Sequence, residues 1–168
     1  MNLLLYGTSC SGKSTLMNVL TQFNYQAVPT GALARQLYNI GCQNMPVIIQ
    51  TIISTLAHDR NYCFDHFYVH TCEQLHDLFN CWPTVIHLID RRTVKTQHSQ
   101  DPAKIERKQK RFDEQATFIE KWLSANSVPT ITVYNTDYGF DLSELIEHSI
   151  VPYNTRVMIK PENPNANN

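Results

Sequence analysis

The feature that most constrains this chain lies in its first fifteen residues, MNLLLYGTSCSGKST. Asn2 to Tyr6 is a short apolar run, long enough for a buried strand and too short for a helix. Gly7 to Ser14 reads G-T-S-C-S-G-K-S and fits the phosphate-binding pattern G-x-x-x-x-G-K-[ST]. Behind it Leu16, Val19, Leu20 and Phe23 recur at helical spacing, so the loop opens a helix with one apolar face. Gly7 and Gly12 are expected to adopt backbone angles that a side chain would forbid. Successive N–H groups then point inward, and the positive end of the helix dipole faces the same anion. On this reading Gly7, Thr8, Ser9, Cys10, Ser11, Gly12, Lys13, Ser14 and Thr15 cradle a nucleotide polyphosphate. Lys13 reaches the β- and γ-phosphates, and the Ser14 hydroxyl ligates Mg²⁺.

A chain of 168 residues suits one domain with a full core. Its net charge of −1 argues against a broad nucleic-acid surface, although a local basic stripe is compatible with it. No stretch is long enough to span a membrane, and the loop starts too early for a leader, so a cytoplasmic protein is expected. The cysteines are Cys10, Cys42, Cys63, Cys72 and Cys81, an odd count that speaks against a disulfide framework. Cys63, His66, His70, Cys72, His76 and Cys81 lie close in sequence, but no C-x-x-C pair marks a zinc site, and ordinary packing is the favoured reading.

Apolar runs and helical patterns alternate along the chain. Further strands are expected at Tyr25 to Val28, Tyr62 to Phe64, Thr84 to Ile89 and Thr130 to Tyr134. Thr30 reads as the cap of a helix from Ala32 to about Asn39, and Pro46 as the first turn of another that runs to about His58. Thr71 with Gln74, and Asp141 with Glu144, look like capping boxes. A long helix is expected from about Pro102 to Leu123, with Lys104, Arg107, Lys108 and Arg111 sharing one side. The alternation implies an α/β three-layer sandwich, a five-stranded parallel sheet with helices on both faces. Residues 1–151 would form this domain, with acceptor-binding helices at about 30–60 and a lid at about 91–111. Residues 152–168 read as an extended, partly disordered tail, rich in proline and asparagine.

Ligands in such sheets bind at the carboxyl ends of the strands. Gly7, Thr30, Asp65, Asp90 and Asn135 all follow predicted strand ends and should gather at one edge. Asp65 is placed to hold the magnesium shell, or to act as general base toward a hydroxyl. Arg91, Arg92, Arg107 and Arg111 flank the polar stretch after the fourth strand. Their planar forks suit phosphate oxygens.

These segments resemble the nucleoside monophosphate kinases of the adenylate and thymidylate kinase group. Thr30-Gly31-Ala32-Leu33-Ala34-Arg35 is similar to that family's T-G-x-x-x-R acceptor segment. Asp65-His66-Phe67 is similar to its D-G-F or D-R-F/Y, and Arg107-x-x-x-Arg111-Phe112-Asp113-Glu114 resembles the lid-arginine helix of thymidylate kinases. The resemblance implies a P-loop kinase fold. It implies that Thr30 and Gly31 line an acceptor pocket and that Arg35 binds the acceptor's phosphate. The chain departs from the pattern at His66, where thymidylate kinases carry arginine. It departs again at Tyr68 and Val69, where adenylate kinases carry proline and arginine.

The expected activity is transfer of the γ-phosphoryl group of ATP to a nucleoside or deoxynucleoside monophosphate. Lys13, Asp65, Arg107 and Arg111 are the catalytic candidates. Thr30, Gly31, Arg35, Asp65, Arg91 and Arg92 are the candidates for substrate binding, and Ser14 and Asp65 for Mg²⁺. The alternatives are a hydroxyl acceptor (a nucleoside, a small metabolite or a nucleic acid) and a nucleotide-binding protein with little turnover. The expected partner is a small-molecule nucleotide. Nucleic acid is less favoured, a membrane is not expected, and a homodimer is an open option.

Overall fold

Asn2–Tyr6 forms strand β1, and all five of its residues are buried. Side chains on a strand alternate between two faces. Leu3 and Leu5 enter one hydrophobic cluster, and Leu4 and Tyr6 enter another. Such a strand has to lie inside a sheet covered on both sides. In the computed structural model, which describes residues 1–93 and 101–161, it does. β3 (Asn61–Phe64) pairs with β1 in parallel on one side, and β4 (Thr84–Asp90) on the other. β2 (Tyr25–Val28) lies outside β3, and β5 (Thr130–Thr136) outside β4, both parallel.

Two more strands correct the expected sheet. β6 (Gly139–Asp141) folds back antiparallel on β5, and β7 (Met158–Ile159) pairs antiparallel with β6. The sheet is therefore seven-stranded and mixed, in the order β2-β3-β1-β4-β5-β6-β7, and is not a five-stranded parallel sheet. The cause is a tight turn after β5. The Thr136 hydroxyl donates to the Gly139 carbonyl at 3.0 Å and accepts from the Tyr138 amide at 3.2 Å, which reverses the chain. Gly139 has φ +118°, and a Cβ there would stand 2.3 Å from the Ile159 oxygen. Phe140 is then buried in the core, and Ile159 packs against it from a stretch that composition alone marks as tail. A two-residue strand leaves no alternation to detect.

The helices fall on both faces. α1 (Lys13–Leu20) and α6 (Ser143–Glu147) pack in the cluster that contains Leu3, Leu5 and Ile86. α2 (Thr30–Asn39), α3 (Met45–Ile53), α4 (Val69–Phe79) and α5 (Pro102–Ala125) pack in the cluster that contains Leu4, Phe64 and Val85. Asn44 caps α3 by accepting from the Val47 amide, and Asp101 caps α5 by accepting from the Ala103 amide. Three expected caps fail. Thr30 is already helical, and its hydroxyl donates back to the Val28 carbonyl. Thr71 sits inside α4 with a buried hydroxyl that has no partner among the described residues, and Gln74 instead donates to the Pro46 carbonyl. Asp141 accepts from the Ser143 amide and hydroxyl, but Glu144 accepts from the Thr132 amide of β5, so no reciprocal box closes.

An aromatic cluster joins three parts of the second face. The Tyr6 ring stacks on Phe112 of α5, with centroids 5.1 Å apart, and meets Phe67 edge-on at 5.5 Å. The Tyr6 hydroxyl is buried without a partner among the described residues. Burial, with Glu120 and Asp113 adding, pushes its pKa up to about 12. Cys63 and Cys72 are buried in opposite clusters. Among the described residues no three His, Cys, Asp or Glu side chains converge as metal ligands, and no helix is long and apolar enough to cross a membrane. Residues 94–100 of the expected lid and 162–168 of the expected tail lie outside the described residues.

Gly139→Ala should destabilise the fold by about 1–3 kcal/mol, because the added Cβ meets backbone and the positive φ is strained. Urea unfolding would show this as a lower midpoint. An unchanged midpoint would mean that β7 does not approach Gly139 this closely in solution.

Candidate active site at the carboxyl edge of the sheet

Five parallel strands bring their carboxyl ends to one edge. Lateral hydrogen bonds mark it: the Asp65 amide donates to the Val28 carbonyl and the Arg91 amide to the Asn135 carbonyl. The loop Gly7–Gly12 leaves β1 at this edge and enters α1. Gly12 has φ +102°, and a Cβ on it would stand 2.6 Å from Asn135 Nδ2. Gly7 is constrained by space and not by angle, for a Cβ there would stand 2.5 Å from the Leu88 oxygen. Cys10 takes the left-handed conformation instead, at φ +63°.

Leu16 donates the first helical bond, to the Gly12 carbonyl at 2.8 Å. The amides of Lys13, Ser14 and Thr15 therefore have no carbonyl one turn back. The amides of Ser9, Cys10 and Gly12 likewise find no acceptor among the described residues. Six donors thus cluster at the positive end of a helix, the arrangement that binds anions. Side chains from two other strand ends hold this loop. Asn135 Nδ2 donates to the Ser11 carbonyl at 2.9 Å, and Arg92 Nη2 donates to the Cys10 carbonyl at 2.8 Å. Because a trans peptide points its N–H opposite its C=O, fixing the Ser11 carbonyl also fixes the Gly12 amide. The Ser11 hydroxyl is fully buried in the loop and has no partner among the described residues.

Lys13 Nζ donates to the Gly7 and Thr8 carbonyls, at 2.8 and 2.6 Å. Burial lowers its pKa to about 8; Asp65 and Cys10 oppose that shift, and Lys108 adds to it. The charge coupling puts Asp65 near Lys13, as the sequence predicted. Lys108 is the α5 cation whose charge adds to that shift. Asp65 Oδ1 accepts from the Gly31 amide at 3.3 Å, which joins the Thr30-Gly31 segment to the end of β3. His66 is exposed two residues beyond the end of β3. Partial desolvation, then Lys13 and Arg35, lower its pKa against the pull of Asp65. Tyr68, its ring 4.7 Å from that of His66, is raised first by burial and then by Asp65, while Arg35 opposes the shift. Lys13, Asp65, His66, Tyr68 and Arg35 thus share one electrostatic neighbourhood.

The arginines divide. Arg92 is committed to Asp90: its Nε donates to Oδ1 and its Nη2 to Oδ2, both at 2.9 Å. Arg91 lies over the Tyr134 ring at 3.7 Å. Arg107 and Arg111 are exposed on α5, and Arg107 donates only to Ala103 of its own helix among the described residues. Sequence reasoning missed Asn135 and Asp90 as loop supports. Asp90-x-Arg92 could have been found, since residues two apart in extended chain face the same way. The strand-end rule places Asn135 at this edge, but no sequence signal pairs it with the Ser11 carbonyl behind Gly12.

Ser14 is exposed in the first turn of α1, and Asp65 Oδ2 makes no hydrogen bond among the described residues. A hydroxyl and one carboxylate oxygen fit Mg²⁺, which prefers a few protein oxygens and keeps waters and phosphates as its other ligands. Comparison with protein-family models found no match, and comparison with curated proteins found none.

The depressed pKa of Lys13 gives two pH effects. Its charged form costs folding stability below pH 8, and that cost is relieved as pH rises from about 8 toward 10.5, where the unfolded lysine still holds its proton. At pH 8 about half of Lys13 is neutral, so amine-reactive labelling should favour it over exposed Lys104 and Lys110. Peptide mass spectrometry across pH 6–10 would measure this. Equal labelling of all three would contradict the assignment.

Proposed function

We propose that this chain is an ATP-dependent phosphotransferase whose acceptor is a nucleoside or deoxynucleoside monophosphate. The observation that carries the reading is the cluster of six open amides at the start of α1, with Lys13 beside it and Asp65 near enough for its charge to act on Lys13. A polyphosphate is the ligand whose charge and oxygen count match that donor set.

The loop amides hold the donor phosphates. Lys13 gives up the Gly7 and Thr8 carbonyls and pairs with the β- and γ-phosphates, an exchange that recovers the energy lost by burying its charge. Ser14 and Asp65 are the residues for Mg²⁺, which when bound neutralises charge across the β- and γ-oxygens. Arg35, close enough to Asp65 to act on the same neighbours, is the residue for the acceptor's phosphate. Lys108 supplies further positive charge from α5. An acceptor phosphate oxygen is already anionic at neutral pH. It forms the new bond to the γ-phosphorus as the bond to the β–γ bridging oxygen breaks, and the electron pair leaves with ADP. No base is required, only alignment, charge neutralisation and exclusion of water. ATP supply and five unpaired cysteines go with a cytoplasmic setting.

The deciding experiment is a mass-spectrometric screen of ribo- and deoxynucleoside monophosphates with Mg-ATP. Lys13→Ala should lower transfer by about 10²-fold or more with unchanged circular dichroism. Transfer at the parent rate would exclude this role. Arg35→Ala should raise the acceptor KM by about tenfold and leave the ATP KM in place. A shift in the ATP KM alone would move Arg35 to the donor side.

A further inference from the structure

We propose that Arg92 and Asn135 form a two-point clamp on the phosphate loop, with Asp90 orienting Arg92, so that Arg92 is a positioning residue and not a ligand of the phosphates. The inference rests on reading the loop as a nucleotide site.

The guanidinium of Arg92 spans two groups at once. Nε and Nη2 take both oxygens of Asp90, the Arg92 amide donates to Oδ1 at 3.1 Å, and Nη2 also reaches the Cys10 carbonyl. The Asp90 side chain is only 7% exposed and that of Arg92 19%. To reach a phosphate, Arg92 would have to break both of its bonds to a nearly buried carboxylate and its bond to the Cys10 carbonyl, which is strongly disfavoured. The segment that carries Arg92 is fixed from both sides. Arg91 donates its amide to the Asn135 carbonyl, and Thr93 donates its amide and hydroxyl to the Asp137 carboxylate, both at 2.9 Å.

The two carbonyls held are consecutive, Cys10 and Ser11. Cys10 has the left-handed conformation that a residue with a side chain adopts only when its surroundings impose it. Ser11 precedes Gly12, whose φ of +102° turns the chain into α1. The clamp therefore acts where the loop is least able to keep its own shape. Its anchors lie at the ends of β4 and β5, which are paired along six residues from Val85 to Asp90. The loop's geometry is thereby set by the sheet and not by the ligand.

The test compares the parent with Asp90→Asn, Arg92→Lys and Asn135→Asp. Amide hydrogen exchange at Ser11 and Leu16, the loop amides that have carbonyl partners, is followed without nucleotide, and Mg-ADP and a non-hydrolysable Mg-ATP analogue are titrated by calorimetry. A clamp predicts about tenfold faster loop exchange in each variant and about tenfold weaker binding of both nucleotides alike. If Arg92 were a phosphate ligand held back by Asp90, Asp90→Asn would tighten the triphosphate, and Arg92→Lys would weaken it selectively; either result overturns the proposal. So would a lower melting temperature with unchanged loop exchange and unchanged affinity, since that reports structure without positioning. A parent that binds neither nucleotide would refute the nucleotide reading, while the exchange data would still decide whether the clamp exists.

Discussion

Burial of β1 on both faces governs the rest of the molecule. Leu3, Leu4 and Leu5 are fully buried, and truncating any one of them to alanine would cost about 2–5 kcal/mol. A strand so enclosed cannot slide by one residue, because a slip would exchange the side chains of the two clusters. Its end is therefore fixed between β3 and β4. Leu16 and Leu20 of α1 share a cluster with Leu3 and Leu5, so the chain must turn back beneath the sheet at once. The loop between β1 and α1 is the short path that makes this turn, and its amides face the open edge because its carbonyls are held elsewhere.

Electrostatics at that edge work against folding. Lys13 is desolvated, and the Gly7 and Thr8 carbonyls and Asp65 compensate only in part, which leaves its pKa near 8. His66 is lowered by its surroundings as well. Lys13, Lys108 and Arg35 act on a neighbourhood whose free carboxylate oxygen, among the described residues, is on Asp65, and such an excess of cations favours an anion. Asp90, the other carboxylate near the loop, is already matched to Arg92. On the proposed reading of the loop as a nucleotide site, stability and ligand affinity oppose each other at Lys13.

Much of this edge was legible in the sequence. The phosphate-loop pattern marks β1 and the turn into α1, although Phe23, read as part of that helix, lies in a separate 3-10 turn, and the strand-end rule brings Thr30, Asp65, Asp90 and Asn135 to the edge beside the loop. Where the reading failed, the signal was tertiary. β6 and β7 depend on one threonine-centred turn and on a close pass of Gly139 against Ile159, and neither produces a periodic pattern. Thr71 and Glu144 matched a capping template, but the helix starts and the partners available in space differed. Arg92 read as one of several similar arginines. Its pairing with Asp90, two residues back, distinguishes it from Arg91, Arg107 and Arg111, and that spacing was the one sequence signal available.

The contact of Phe112 with Tyr6 has a mechanical consequence. It falls near the middle of α5, whose 24 residues span about 36 Å at the usual rise. Leu123 and Trp122 anchor the far part of the helix among buried side chains. Tyr6 is itself the last residue of β1, one position before the loop begins. α5 therefore bears on the strand that leads into the Gly7–Gly12 loop, and a displacement of the helix at Phe112 would be felt at Tyr6.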